Sequence, residues 1–238
     1  MKILISTIVR NRINTLSIWK KQIIELSTLM PEHEFHISVY ENDSIDGSKQ
    51  WLKDCVFPEK LIKTYIFNEE TLNTIQYGSI KNNERVHLLA KARNKSIFQS
   101  EAYLDCEKII CIEPDIFYSP QEMIKLINSP YDIVSPCSIN DLNNSEYHMY
   151  DRWGTRNIPE KDGWTDDVVL KGIIPVWTTF NCFCVYKSEP IRQGAIFDGF
   201  NTRLNIDDCD TAVICEKFRE LGYTDIVLNA DIKVYHPV

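Results

Sequence analysis

The chain has 238 residues, a net charge of −8 and eight cysteines, with 44% hydrophobic and 25% charged residues. That composition is ordinary for a globular protein, and the length allows a core of useful size. The acidic balance and the lack of any Lys/Arg run argue against nucleic acid as the main partner, and no stretch approaches the roughly 20 apolar residues that span a bilayer.

The N-terminus, MKILISTIVRNR, has a short apolar run but no small-residue cleavage site. Its β-branched content fits a first strand over Lys2–Val9 better than a signal peptide. Leu16, Trp19, Ile23, Leu26 and Met30 then step by three or four, which predicts a helix. A second strand at 35–40 closes on Glu41-Asn42-Asp43-Ser44, and Asp46-Gly47-Ser48 is turn chemistry before a short helix through Trp51 and Leu52. A third strand at 61–67 is followed by a polar loop over 68–83 and a long helix over 84–99. The fourth strand, Lys108–Ile112, runs straight into Glu113-Pro114-Asp115. Ser119-Pro120 opens a helix with Met123, Ile124 and Ile127 on one side, and 131–137 is a fifth strand. Residues 139–165 show no period and read as a long loop of the functional kind. Strand character returns over 176–186, where Cys182 and Cys184 are expected to share a face. A helix carrying Ile214, Phe218 and Leu221 stops at Gly222. Two short strands, 225–228 and 232–235, end at His236-Pro237. The alternation implies an α/β fold with a largely parallel sheet and helices on both faces. No repeat or domain linker is visible. The cysteines form no CxxC pair and lie in apolar stretches, which points to buried free thiols in a reducing compartment and away from zinc.

Glu113-Pro114-Asp115 carries the most chemistry. Side chains at i and i+2 of an extended segment share a face, and Pro114 ends regular pairing. Two carboxylates at the mouth of a sheet suit Mg²⁺ or Mn²⁺ with a phosphate filling the remaining positions; the alternative is an acidic turn. On the long helix, Arg93 falls on the apolar stripe of Val86, Ala90 and Ile97. A guanidinium there needs a partner, either a core acid such as Asp115 or a bound phosphate. Asn94 beside it is ordinarily a solvated position. Thr7, Arg10 and Asn11 close the first strand as Glu41, Asn42 and Asp43 close the second, on the same sheet edge. Asp43 can address ribose or base there, or can shape a turn with Asp46. His236 completes a metal site if the last strand returns to the mouth. Asp207, Asp208 and Asp210 exceed what helix capping needs, so one can orient an acceptor hydroxyl. Tyr147, Tyr150, Asp151, Arg152, Trp153, Arg156 and Trp164 suit either a sugar ring or an aromatic satellite core. The GxSxG, P-loop and GxGxxG motifs are absent, so phosphates must be held by metal and side chains.

ILISTIVRN, ENDSIDGS, AKARN, IICIEPDIF in the place of an Asp-x-Asp motif, and a last strand ending in IKVYHP resemble a GT-A glycosyltransferase. YDRWGTR, FNCFCVYKSEPI and CDTAVICEKFRELGY narrow the likeness to the capsule-associated and cryptococcal α-mannosyltransferase family. The resemblance covers nearly the whole chain. It implies one GT-A-type, Rossmann-like domain, with a nucleotide-sugar-binding half at 1–138 and a smaller acceptor-side half at 139–238. Glu113, Asp115 and His236 are then expected to bind Mn²⁺ or Mg²⁺, with Glu113 departing from the family's Asp. Thr7, Arg10, Asp43, Arg93 and Asn94 are expected on the donor side, and Asp151, Trp153 and Arg156 on the acceptor side. Asp115, Asp207 and Asp208 are the expected catalytic acids. The reaction implied is retaining transfer from a nucleotide-sugar donor to a glycan or glycoconjugate. Relatives carry a membrane anchor ahead of this domain. A chain that starts at the first strand is expected to be soluble and cytoplasmic, with peripheral membrane association left open. The alternatives are a silent nucleotide- or glycan-binding module and a nucleotidyltransferase, although the latter needs a Gly-rich loop that Ser6–Arg12 lacks.

Overall fold

β1 (Lys2–Val9) is the axis of the sheet, with β2 (Glu34–Asn42) on one side and β4 (Lys108–Ile112) on the other, both parallel to it. The computed structural model describes residues 1–78, 81–140, 149–160 and 170–237. Among these, the helices are α1 (Ile13–Leu29), α2 (Ser48–Lys53), α3 (Asn83–Phe98), α4 (Pro120–Ile127), α5 (Ser188–Arg192) and α6 (Asp210–Glu220). The remaining strands are β3 (Ile62–Glu70), β5 (Phe117–Tyr118), β6 (Ile133–Ile139), β7 (Ile173–Pro175), β8 (Phe183–Lys187), the β9 (Phe200–Asn201) and β10 (Ile206–Asp207) pair, and β11 (Ile226–Tyr235). The main sheet runs β3-β2-β1-β4-β8-β6-β11-β5, with β7 added to β11.

Alternation along the strands feeds two cores. Ile3, Ile5, Ile110 and Ile112 face α1 and α4, whose Leu16, Trp19, Ile23, Met123 and Leu126 cover them. Leu4, Ile109, Cys111 and Cys184 face the α3 and α6 side, with Ala90, Ile97, Ile214 and Phe218. Small residues let α3 approach closely: Ser6 Oγ donates to Ser96 Oγ (2.8 Å), and Ser96 Oγ lies 3.1 Å from the carbonyls of Thr7 and Ser38. All eight cysteines are buried and free. No helix of the described residues is long and apolar enough to cross a membrane.

Three sequence expectations need correction. β8 is antiparallel to both β4 and β6, so it separates two parallel blocks. Its regular part is shorter than 176–186, because Asn181 and Cys182 adopt left-handed backbone (φ 53 and 63). That kink breaks the period of two: Cys182 joins the α1 face while Cys184 joins the α3 face. The two short C-terminal strands are one strand, β11, whose register against β6 shifts between Asn229 and Lys233. The shift reverses its alternation, so Val227 faces the α1 core and so do Ile232 and Val234.

Candidate active site

The acidic segment leaves β4 and crosses to β5, which pairs antiparallel with the end of β11, Phe117 opposite Tyr235. That register brings His236, the next residue after Tyr235, beside Asp115. His236 Nε2 lies 3.7 Å from Asp115 Oδ2, its backbone N–H donates to Ile139 O (2.8 Å), and its ring stacks on Tyr150 at 4.5 Å. Its Nδ1 is buried with no hydrogen-bond partner. Glu113 is fixed from both ends: its N–H donates to Cys182 O (2.9 Å), and its Oε1 accepts from Arg93 (3.1 Å). Among the described residues, Glu113, Cys182 and His236 each offer one ligand atom within 4.8 Å of the others.

Two arginines neutralise this acidic pocket. Arg93 is buried, donates through Nε to Asp210 Oδ2 (2.9 Å), and lies 4.3 Å over the Phe180 ring. Burial pulls its pKa down, but Asp210 and Glu113 more than reverse this, so it stays charged. The salt-bridge reading of Arg93 is the one realised, with Asp210 and Glu113 as partners in place of Asp115. Asp115 instead pairs with Arg12 Nε at 2.6 Å. Burial, then the neighbouring Glu113 charge, push the Asp115 carboxyl above the ordinary carboxylate range despite Arg12 and His236. Glu113 is held below that range: Arg93 and then His236 outweigh the desolvation that opposes them.

The other residues singled out in the sequence divide into those near this centre and those committed elsewhere. Asp151 lies on the segment that carries Tyr150. Its oxygens accept from Gly154 N (3.1 Å) and Asn181 N (3.0 Å), and burial raises its pKa. Asp43 realises the turn role. It accepts from the backbone of Leu72, Asn73 and Thr74 and from the Thr74 hydroxyl, bonds that hold its carboxyl well below the usual range against desolvation. Arg10 grips the same loop through Thr74 and Ile75. A nucleoside contact by either residue requires exchanging these bonds.

Five more of these residues are buried or held by partners within the chain. Thr7 lies inside β1, buried, with its hydroxyl unpartnered and no surface toward a ligand. Asn94 spends its amide on the backbone of Phe197, at 2.8 and 3.0 Å. Asp208 and Arg156 form a two-pronged ion pair (2.9 and 2.6 Å) sealed from solvent. Asp207 pairs with His87 at 2.9 Å. Trp153 is half-buried under the Lys81 ammonium, 5.8 Å from its ring centre. Tyr147 and Trp164 lie outside the described residues.

Sequence reasoning did not place Arg12, Asp210 or Cys182 at the centre. The position of Arg12, just past the first strand tip, was a usable signal, and a buried Arg93 demanded an acid such as Asp210. Nothing local foretold Cys182. Gly154 was also unremarked: a Cβ there would sit 2.7 Å from Asp151 Oδ2 and 2.8 Å from Thr211 Oγ1. Gly154→Ala is expected to lower stability by about 1–3 kcal/mol through overpacking, read as a fall in urea midpoint at constant slope.

A family model described as Cryptococcal mannosyltransferase 1 matches residues 2–196, most of the chain. The chain belongs to that family. The matched span includes both acids of the 113–115 segment, Arg12, Arg93, Asp151 and Cys182; His236 lies beyond it. Among solved structures, S. aureus TarS 1-349 in complex with UDP-GlcNAc aligns with 100% of this chain and 59% of its own, at TM-score 0.56 and 13% identity. The mannosyltransferase PcManGT from Pyrobaculum calidifontis, in complex with GDP-Man and Mn²⁺, aligns with 100% of this chain and 56% of its own, at TM-score 0.55 and 12% identity. At such identities the likeness is one of fold, and the fold of this member of the Cryptococcal mannosyltransferase 1 family is of the GT-A type, as expected. The chain spans less than two thirds of these structures. No curated protein matches it.

Proposed function

We propose that this chain is a metal-dependent glycosyltransferase that moves a sugar from a nucleotide-sugar donor to a hydroxyl of a glycan or glycoconjugate. The observation that carries this reading is the place of His236 where β4 and β11 end: Asp115 Oδ2 lies 3.7 Å from its Nε2, Glu113 offers a ligand atom within 4.8 Å of its ring, and its Nδ1 is buried and unpartnered. A buried imidazole nitrogen without a partner is costly, and a divalent cation relieves that cost. Two carboxylates and one imidazole fit Mn²⁺ or Mg²⁺ with positions left for a diphosphate. Bound there, the cation supplies Lewis-acid stabilisation to a departing nucleoside diphosphate.

The chain's own groups do the rest. Arg12, partly exposed beside Asp115, has surface to meet a phosphate. Arg93 is satisfied by two acids and serves as a positioning residue that fixes the Glu113 carboxylate. Residues 1–138 form the donor half, and 139–238 the acceptor half, in this reading. Tyr150 and Asp151 flank the site from the acceptor half, and the Tyr150 ring steadies His236 by stacking. Transfer with retention is the stereochemical outcome implied by the family resemblance.

Melting the protein with UDP-, GDP- and dTDP-sugars, each with and without Mn²⁺, tests the reading. At 100 times its dissociation constant a true donor stabilises by about 2.7 kcal/mol, or about 5–10 °C for a chain of this size. One nucleotide is expected to act, and only with the cation. Equal, small shifts for all three, with no donor consumed in the presence of any acceptor, would sink the proposal.

A further inference from the structure

Cys182 occupies an unusual place. It and Asn181 are consecutive non-glycine residues in left-handed backbone, a conformation that costs on the order of 1–3 kcal/mol per residue and persists only when the surroundings over-determine it. Here they do. The buried Asn181 side chain accepts from Ser138 N and Oγ (3.0 and 2.8 Å) and donates to Thr155 and Thr179 (2.9 and 3.1 Å). The kink turns Cys182 off the face that Cys184 occupies and leaves its ligand atom within 4.8 Å of those of Glu113 and His236.

We propose that Cys182 is a cation ligand, and that Glu113, Cys182 and His236 together capture a thiophilic divalent cation, Zn²⁺ in particular, in competition with the hard cation of the transfer reaction. The inference rests on the proposed function only for the identity of that competitor. Three protein ligands of N, O and S type with a fourth position open match the ligand count of an open zinc site. Any such site binds Zn²⁺ more tightly than Mn²⁺, and a thiolate widens the gap. The step is ligand exchange: a water bound to Zn²⁺ leaves as Sγ takes its place, and the thiol proton goes to solvent. Tetrahedral ligands at zinc distances stand about 3.5 Å apart, so the trio needs to close by no more than roughly 1 Å. Glu113 has one oxygen not held by Arg93, and His236 Nδ1 has no bond to give up. Because Glu113 and His236 serve both cations, only one can be bound at a time.

Co²⁺ replaces Zn²⁺ and reports sulfur ligation through a thiolate-to-cobalt charge-transfer band in the near ultraviolet. Wild-type protein titrated with Co²⁺ is expected to show this band, and one equivalent of Zn²⁺ to abolish it. Cys182→Ser is expected to lose the band and bind Zn²⁺ at least about tenfold more weakly, while keeping its Mn²⁺-dependent melting shift. Cys184→Ser, two residues away on the other face, is expected to retain the band. If Cys182→Ser does not fold, zinc-edge X-ray absorption on the wild type decides the matter, with one sulfur expected at about 2.3 Å. A wild type whose bound Co²⁺ or Zn²⁺ shows no sulfur, or a band that survives in Cys182→Ser, overturns the proposal. Sulfur ligation without any effect of nucleotide-sugars would support this inference and count against the transferase reading alone.

Discussion

Arg156→Ala is expected to cost about 3–5 kcal/mol, the range for breaking a buried ion pair by removing one partner. The guanidinium and the Asp208 carboxylate are both sealed from solvent and joined by two charge-assisted bonds. Once Arg156 is gone, the Asp208 charge keeps, among the described residues, Asn201 and the Cys209 N–H. For a chain of this length the loss corresponds to a fall of roughly 6–20 °C in melting temperature. Replacing both members with apolar residues, Arg156→Met with Asp208→Leu, is expected to recover most of it, because the desolvation cost disappears along with the attraction. Calorimetric melting of the single and double variants checks both halves. A single variant as stable as the parent would show that this pair is not the clamp between the 149–160 segment and the start of α6.

Asp115→Ala is expected to separate activity from stability in the opposite sense. Transfer should fall about a thousandfold or more, as when a group that stabilises developing charge is removed. Stability should hold or rise slightly. The Asp115 carboxyl is raised above its ordinary range, by burial and then by Glu113, so its ionised form is strained in the folded chain. The sign follows from linkage: the folded protein takes up this proton at a higher pH than the unfolded chain does. Without a cation, the residue's contribution therefore becomes less favourable as pH rises through the carboxylate range. Arg12, left without its partner, is exposed enough to be hydrated. Turnover and melting measured on one preparation test this; full turnover in the variant would falsify the metal role of Asp115.

Local patterns carried much of this architecture. β1 and β4, buried on both faces, were readable as continuous apolar runs, and the stripe of α1 as a period of 3.6. So was the Ser119-Pro120 start of α4. Features set by long-range pairing were not. The direction of β8 depends on partners in both parallel blocks, and the unity of β11 depends on a bulge that reverses its faces. The candidate site divides the same way. The acids at the end of β4 and the need of Arg93 for a partner were visible, but the choice of Asp210 over Asp115 required the position of α6. Asp208 looked functional because three acids in four residues exceed what capping needs, and Arg156 because it lies among aromatic residues that suit a sugar; in the fold the two are buried against each other as an ion pair. Cys182 was assigned to the wrong face because two left-handed residues interrupt a pattern that otherwise alternates without fault.

The crossing from β4 to β5 sets a condition on chain length. In the sheet order these strands are four places apart, roughly 19 Å at regular strand spacing. The five steps from Ile112 to Phe117 reach at most about 18 Å when fully extended. With Pro114 and Asp115 spending part of that reach on a turn, the ends of β4 and β5 must stand closer than flat strand spacing gives. Glu113 and Asp115 ride on a short turn anchored at two strands, so the number of residues between those anchors governs the reach of the acids as firmly as their chemistry does.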